Sequence, residues 1–116
     1  YPFAPGEVMV QKTALSFIDA VWEVFGPLLR GVPLVVIPPE TVRDPHASIQ
    51  ILASHGVSRI VLVPSLLDAM LETVPDLGAA LPALRLVFVS GERLTARLAQ
   101  RFARAAPNMR LVNLYG

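Results

Sequence analysis

The 116-residue chain contains no cysteine, which removes disulfide staples, a thiolate nucleophile and every Cys-ligated metal site. Charge is scarce as well: charged residues make up 16%, and 10 Lys and Arg nearly balance 9 Asp and Glu, for a net charge of +1. So even a balance carries no electrostatic footprint for nucleic acid or anionic lipid. No apolar run approaches the ~18–20 residues of a spanning helix, because Arg30, Pro33, Pro38, Pro39, Pro64 and Asp68 interrupt the greasy stretches. We therefore expect no membrane span. A basic segment followed by an apolar one is missing near the start, so nothing there resembles a secretory leader. The absence of cysteine is compatible with a cytoplasmic location, which is the expectation.

What the chain has in excess is apolar content. Hydrophobic residues reach 53% and mean hydropathy is +0.55, greasy for a free-standing small domain, which needs polar surface. With Tyr1 in place of an initiator methionine, this leads us to expect one partial domain, 1–116, truncated at both ends of a larger protein.

The apolar residues are patterned. Residues 7–12 alternate weakly and read as a short strand. From Phe17 the period changes: Ile18, Val21, Trp22, Phe25, Leu28 and Leu29 share one helical face, with Ser16 and Asp19 spaced as a capping box. Gly31 stands where a terminating glycine would, and Pro27 argues for a kink or an early end. Residues 34–37 form a continuous apolar run closed by Pro38-Pro39, the pattern of a strand buried on both faces. Asp44-Pro45 opens a helix through about His55, ended by Gly56. The unit then repeats. Residues 59–63 are a strand, Pro64–Thr73 a helix, residues 75–82 a Pro/Gly/Ala-rich connection, residues 84–89 a strand and 95–105 a helix, and another strand starts near Met109.

Apolar strands alternating with helices mean right-handed crossovers and a parallel α/β sheet covered by helices. Ligands in such sheets sit beyond the carboxyl ends of the strands. Those ends are Pro38-Pro39, Pro64-Ser65, Ser90-Gly91-Glu92 and Tyr115-Gly116.

Several signals carry little. His46 and His55 are not spaced i, i+4 and have no evident third ligand, so no metal site is assigned. Arg93, Arg97, Arg101 and Arg104 read as a solvated helix face. Ser65 opens a helix after a strand but lacks the Gly-x-Ser-x-Gly elbow of a hydrolase, and there is neither Gly-x-Gly-x-x-Gly nor a Walker A motif. Lys12 is the only lysine and nothing links it to chemistry.

Residues 16–31 (SFIDAVWEVFGPLLRG), Val63-Pro64-Ser65, Ser90-Gly91-Glu92 and Asn113-Leu114-Tyr115-Gly116, taken together and in this order, resemble the adenylate-forming (AMP-binding) superfamily. That group includes acyl-CoA synthetases and the adenylation domains of nonribosomal peptide synthetases. The resemblance implies a piece of the larger, multi-layer N-terminal domain of an acid-thiol ligase. In such an enzyme a carboxylate attacks the α-phosphate of ATP, normally with Mg²⁺, giving an acyl-adenylate and pyrophosphate. A thiol of coenzyme A, or of phosphopantetheine on a carrier protein, then takes the acyl group.

Carried over by motif, the resemblance gives Ser90, Gly91 and Glu92 as one wall of an adenine slot, Tyr115 as the stacking ring with Leu114 and Gly116 beside it, and Asn113 as the reader of the adenine edge. Glu92 has a rival reading as a carboxylate at a helix N-terminus. The acyl pocket carries over as Ile18, Asp19, Trp22, Leu62, Phe88, Ser90 and Leu114. Rival readings make Asp19 a helix cap, and Trp22 and Phe88 ordinary core aromatics.

Domains that load α-amino acids usually have Phe-Asp where this chain has Phe17-Ile18, and an isoleucine cannot pair with an ammonium. The expected substrate is therefore a small carboxylic acid without a conventional α-ammonium, or one whose amine meets Asp19. Phe17-Ile18-Asp19 also resembles acyl-activating relatives of the aminoadipate-semialdehyde dehydrogenase type. The resemblance places no catalytic residue and no metal ligand within these 116 positions, so the chain alone is expected to be inactive. The alternative is a self-standing flavodoxin-like binding module without catalysis. The flanking sequence separates the two readings. The first requires Pro-Thr-Glu or a close variant after Gly116 and a Ser/Thr/Gly-rich loop ending in Lys-Gly before Tyr1.

Overall fold

In the computed structural model, which describes residues 1–114, the alternation of apolar strands and helices becomes one parallel sheet. In chain order the elements are β1 (Met9–Gln11), α1 (Ile18–Leu28), β2 (Leu34–Val36), α2 (Pro39–Val42), α3 (Pro45–Ser54), β3 (Arg59–Leu62), α4 (Pro64–Thr73), α5 (Leu77–Ala80), β4 (Leu86–Val89), α6 (Ala96–Ala105) and β5 (Arg110–Asn113). The sheet order is β2-β1-β3-β4-β5 and every pairing is parallel. All five carboxyl ends therefore share one edge, which is where ligands of such sheets gather.

Local chemistry sets the helix starts. Asp44 caps α3 by accepting from the amides of His46 and Ala47, with Pro45 in the first turn, and Thr95 caps α6 through Leu98 N. At α1 the residue in the cap position is Phe17, which makes no side-chain cap. The capping box expected of Ser16 and Asp19 does not form: the cap position falls one residue past Ser16, and Asp19 accepts from Ser90 instead. The stretch read as a plain connection holds α5, capped by Asp76 through Ala79 N. A single four-residue turn is too short to leave a periodic signal.

Side chains alternate across each strand, so the sheet has two separate cores. On one face Ile60, Leu62, Val87 and Val89 pack with Leu52 of α3, Leu67, Met70 and Leu71 of α4, and Phe102 of α6. On the other, Met9, Val61 and Phe88 form a smaller cluster with Phe3, Val32 and Val112. The Trp22 ring of α1 meets Phe88 on this side, centroids 5.3 Å apart. Right-handed crossovers explain the division, since the β1-to-β2 connection runs toward one edge and the later connections run toward the other.

Two expectations change. β2 is an edge strand rather than one buried on both faces; Val36 is 67% exposed, and Leu34 and Val35 are only half-buried. An apolar run of this length does not say which neighbour it will have, and β1 takes the interior place. The apolar stripe of α1 also fails to face the sheet: Ile18, Val21, Phe25, Leu28 and Leu29 are exposed, while Ala20, Glu23 and Pro27 are buried. Glu23 turns inward because its carboxylate accepts from the amides of Lys12 and Thr13 and from Thr13 Oγ1, fastening the loop between β1 and α1. Lys12 Nζ lies 3.5 Å from Glu23 Oε1. Burial lowers the Lys12 pKa from its ordinary value, partly opposed by Glu23 and then Asp19.

Residues 1–7 are strapped across the same face by Arg59, which is 1% exposed. Its guanidinium donates to both oxygens of Glu7, to Tyr1 O at 2.9 Å and to Pro2 O at 3.1 Å, and lies 4.0 Å from the centroid of Phe3. Desolvation pushes the Glu7 carboxyl up, but Arg59, the Ala4 amide and Ser58 together hold it below its ordinary value. The strap brings Tyr1 edge-on to Phe88, ring centroids 5.6 Å apart.

Candidate functional site

β4 and β5 are hydrogen-bonded neighbours, so the residues just past their carboxyl ends are brought together. Asn113 is in register with Val89 and exposed, and Leu114 N donates to Val89 O at 2.8 Å. After β4 the backbone turns at Gly91, φ +78°. A β-carbon there would be strained by that angle, while its 3.4 Å approach to Val63 Cγ1 would be an ordinary contact, so glycine serves the turn.

The turn sends its two polar neighbours in different directions. Ser90, nearly buried, donates from Oγ to Asp19 Oδ2 at 2.5 Å, tying β4 to α1. Glu92 accepts from Ser65 N at 2.9 Å and Ser65 Oγ at 2.8 Å. It thereby caps α4, whose own cap residue, Val63, makes no side-chain cap hydrogen bond. The helix-terminus reading of Glu92 thus describes what its carboxylate does, for the helix after β3 rather than the one that follows Glu92 in sequence.

Beside this edge lies a cavity of about 230 Å³ lined by Tyr1, Asp19, Trp22, Val61, Phe88 and Leu114. Four residues named from the sequence, Asp19, Trp22, Phe88 and Leu114, come together in it, and Ser90 adjoins it through Asp19. Leu62 does not: it packs in the opposite core, under the helices, and Val61 holds the place assigned to it. A shift of one residue along a strand changes faces. Val61 is in register with Phe88, so strict alternation from Phe88 finds it. Ile18 opens α1 at 81% exposure and does not line the cavity. Tyr1 had no signal in the sequence, since only the Arg59 strap carries it there. Tyr115 and Gly116 lie outside the described residues.

A larger open groove of about 920 Å³ runs between residues 2–8 and 29–33. It lies at the amino edge of the sheet, away from the strand ends where parallel sheets bind ligands. On α6, Arg101 reaches Asp68 of α4 at 2.7 Å with both side chains partly exposed, a helix-to-helix tie on a solvated face. Among the described residues no three potential ligands cluster to hold a metal, and no helix is long and apolar enough to cross a membrane.

The family model described as AMP-binding enzyme matches residues 1–116. The chain belongs to the AMP-binding enzyme family. The family match decides between the two readings of the sheet, because the order 2-1-3-4-5 is also that of flavodoxin-like folds. Glycine betaine reductase of Emericella nidulans is 41% identical over 95 residues, which is 82% of this chain and 8% of that protein. Two solved members have the same architecture. One is the Vibrio cholerae adenylation domain AlmE in complex with glycyl-adenosine-5'-phosphate, with TM-score 0.80, 27% identity, and coverage of 95% of this chain and 20% of that one. The other is holo-PA1221, a nonribosomal peptide synthetase protein containing adenylation and PCP domains bound to a vinylsulfonamide inhibitor. It aligns at TM-score 0.82 and 29% identity over 100% of this chain and 20% of its own. The chain therefore spans a small part of the length of these AMP-binding relatives.

Proposed function

We propose that this chain supplies both walls of the adenine slot and part of the acyl pocket of an ATP-dependent carboxylate-activating domain. The observation that carries the reading is the meeting of the Ser90-Gly91-Glu92 turn and Asn113-Leu114 at adjacent strand ends, above a cavity holding Asp19, Trp22 and Phe88. In the complete domain the acid's carboxylate attacks the α-phosphate of ATP and expels pyrophosphate. A thiol, from a carrier protein's pantetheine or from coenzyme A, then displaces AMP from the acyl-adenylate. The PCP domain in holo-PA1221 supports the carrier.

Within this scheme the Gly91 turn lets backbone approach the adenine, Tyr115 stacks on the base and Asn113 reads its edge, which together orient the nucleotide. Glu92 acts through position, holding the turn to α4. Mg²⁺ supplies charge neutralisation on phosphate when bound, and no residue of this chain is assigned to it.

The test is ATP–pyrophosphate exchange by the complete domain. Asn113→Ala is expected to raise the KM for ATP about tenfold, the loss of one good hydrogen bond, and an unchanged KM overturns the adenine assignment. Residues 1–116 alone are expected to turn over no ATP.

The substrate we infer is an acid without a conventional α-ammonium. The similarity to the Emericella nidulans protein, a glycine betaine reductase, supports this. The glycyl-adenylate in AlmE is the counterexample that makes the measurement worth doing. Exchange driven best by ordinary α-amino acids overturns the inference.

A further inference from the structure

We propose that the cavity lined by Tyr1, Trp22, Phe88 and Asp19 recognises a quaternary ammonium group on the acid it binds. This rests on the acyl-pocket reading above and narrows it to a substrate class.

Three of the six lining side chains are aromatic, and they are not stacked. Trp22 meets Phe88 at 68° and Tyr1 meets Phe88 at 81°, with centroids 5.3 and 5.6 Å apart. Rings set at steep angles around one small space form a corner rather than a slab. A cation within about 6 Å of ring centroids is attracted by their quadrupoles.

The charge at the site points the same way. Asp19 is the cavity's carboxylate, and among the described residues no cationic side chain lines the space; the Arg110 guanidinium lies outside it, 5.9 Å from the Tyr1 ring centroid. The hydrogen bond to Asp19 comes from the neutral Ser90 hydroxyl. The nearby ammonium of Lys12 is held against Glu23 at 3.5 Å and hydrogen-bonds Thr13, so its charge is shared with a second carboxylate. A half-buried carboxylate with one neutral donor favours a positive ligand.

The kind of cation follows from the remaining surface. A primary ammonium carries three N–H donors that each need an acceptor. Among the described lining side chains, such acceptors come from Asp19, already engaged by Ser90, and the phenol of Tyr1. Val61, Leu114 and the rings are apolar. A trimethylammonium group has no N–H to satisfy and presents methyl groups, which suit rings and aliphatic side chains while its charge faces Asp19.

The experiment compares three acids on the complete adenylation domain, by calorimetric binding and by pyrophosphate exchange: trimethylammonioacetate, its neutral carbon isostere 3,3-dimethylbutanoate, and glycine. Trimethylammonioacetate is expected to bind about tenfold tighter than either of the others. Asp19→Asn and Trp22→Leu are expected to bring it down to the level of the isostere, with Trp22→Phe retaining most of the preference. Continued binding of the isostere shows that the variants are folded. If a variant does not fold, the ranking by the unaltered domain decides alone. Equal or tighter binding of the neutral isostere overturns the cation and leaves the substrate reading above in place. A preference for glycine overturns both. Failure of all three acids to bind, with ATP binding intact, overturns the quaternary class while the adenylation reading stands.

Discussion

The two faces of the sheet are built to different standards. Under α3, α4 and α6 lies a continuous core in which Leu67, Leu71, Leu77 and Val87 are wholly buried. The opposite face has one helix and a strap, and leaves Ile18, Phe25, Leu28 and Leu29 of α1 in the open. The first face is held by apolar area. The second is held by polar fastenings, namely Glu23 on the β1–α1 loop, Ser90 on Asp19 and Arg59 on residues 1–7. The cavity opens on the side where few apolar contacts must be kept, away from the core that carries most of the buried area.

The contrast can be broken most directly by cavity creation. Leu71→Ala, at a fully buried position, is expected to cost about 4 kcal/mol in denaturant unfolding, and a loss below ~1 kcal/mol would mean that the three-helix face is not the stabilising one. Glu23→Ala comes next, at about 3 kcal/mol, since it strips two backbone amides and Lys12 of their partner. If that substitution is silent, polar fastening of the α1 face is wrong. Glu92→Ala should cost about 1 kcal/mol through the lost cap of α4, measured in the same way.

A pH series sharpens the comparison further. Glu7 has a folded-state pKa below its ordinary 4.5, so the strap's contribution is fully present above that value and is lost as the pH falls through the folded-state pKa. Unfolding followed from about pH 6 down to about pH 3 should show Glu7→Gln lacking this part of the wild-type decline. The smallest effect is expected at Leu29, 81% exposed, where alanine should change the stability of the 116-residue chain by under ~0.5 kcal/mol. A markedly larger cost in a longer protein would show that another segment covers the α1 face there.

Legibility in the sequence followed the same division. α3, α4, α6, β3 and β4 belong to the well-covered face and were readable from apolar period and from Asp44, Pro45, Gly56 and Pro64, because their surroundings reward a regular pattern. β2 misled because four apolar residues look alike in the interior and at an edge. Asp19, Trp22, Phe88 and Leu114, named by motif resemblance, line one cavity, but such resemblance fixes positions and not faces. Leu62, named by the same resemblance, packs on the opposite face, and its neighbour Val61 lines the cavity. Tyr1 could not be found at all, since its place depends on a guanidinium 58 residues away in sequence.

That guanidinium has a further consequence. Arg59 ties residues 1–7 together through one group, so any opening of this strap would release Glu7, Tyr1, Pro2 and Phe3 at once. A ligand that touches the Tyr1 ring gains that contact only from the closed population, and its apparent affinity is reduced in proportion to the open fraction. Occupancy in turn shifts the balance toward closure, so slower hydrogen exchange at the Glu7 amide, bonded to Ala4 O, would report a ligand it never touches.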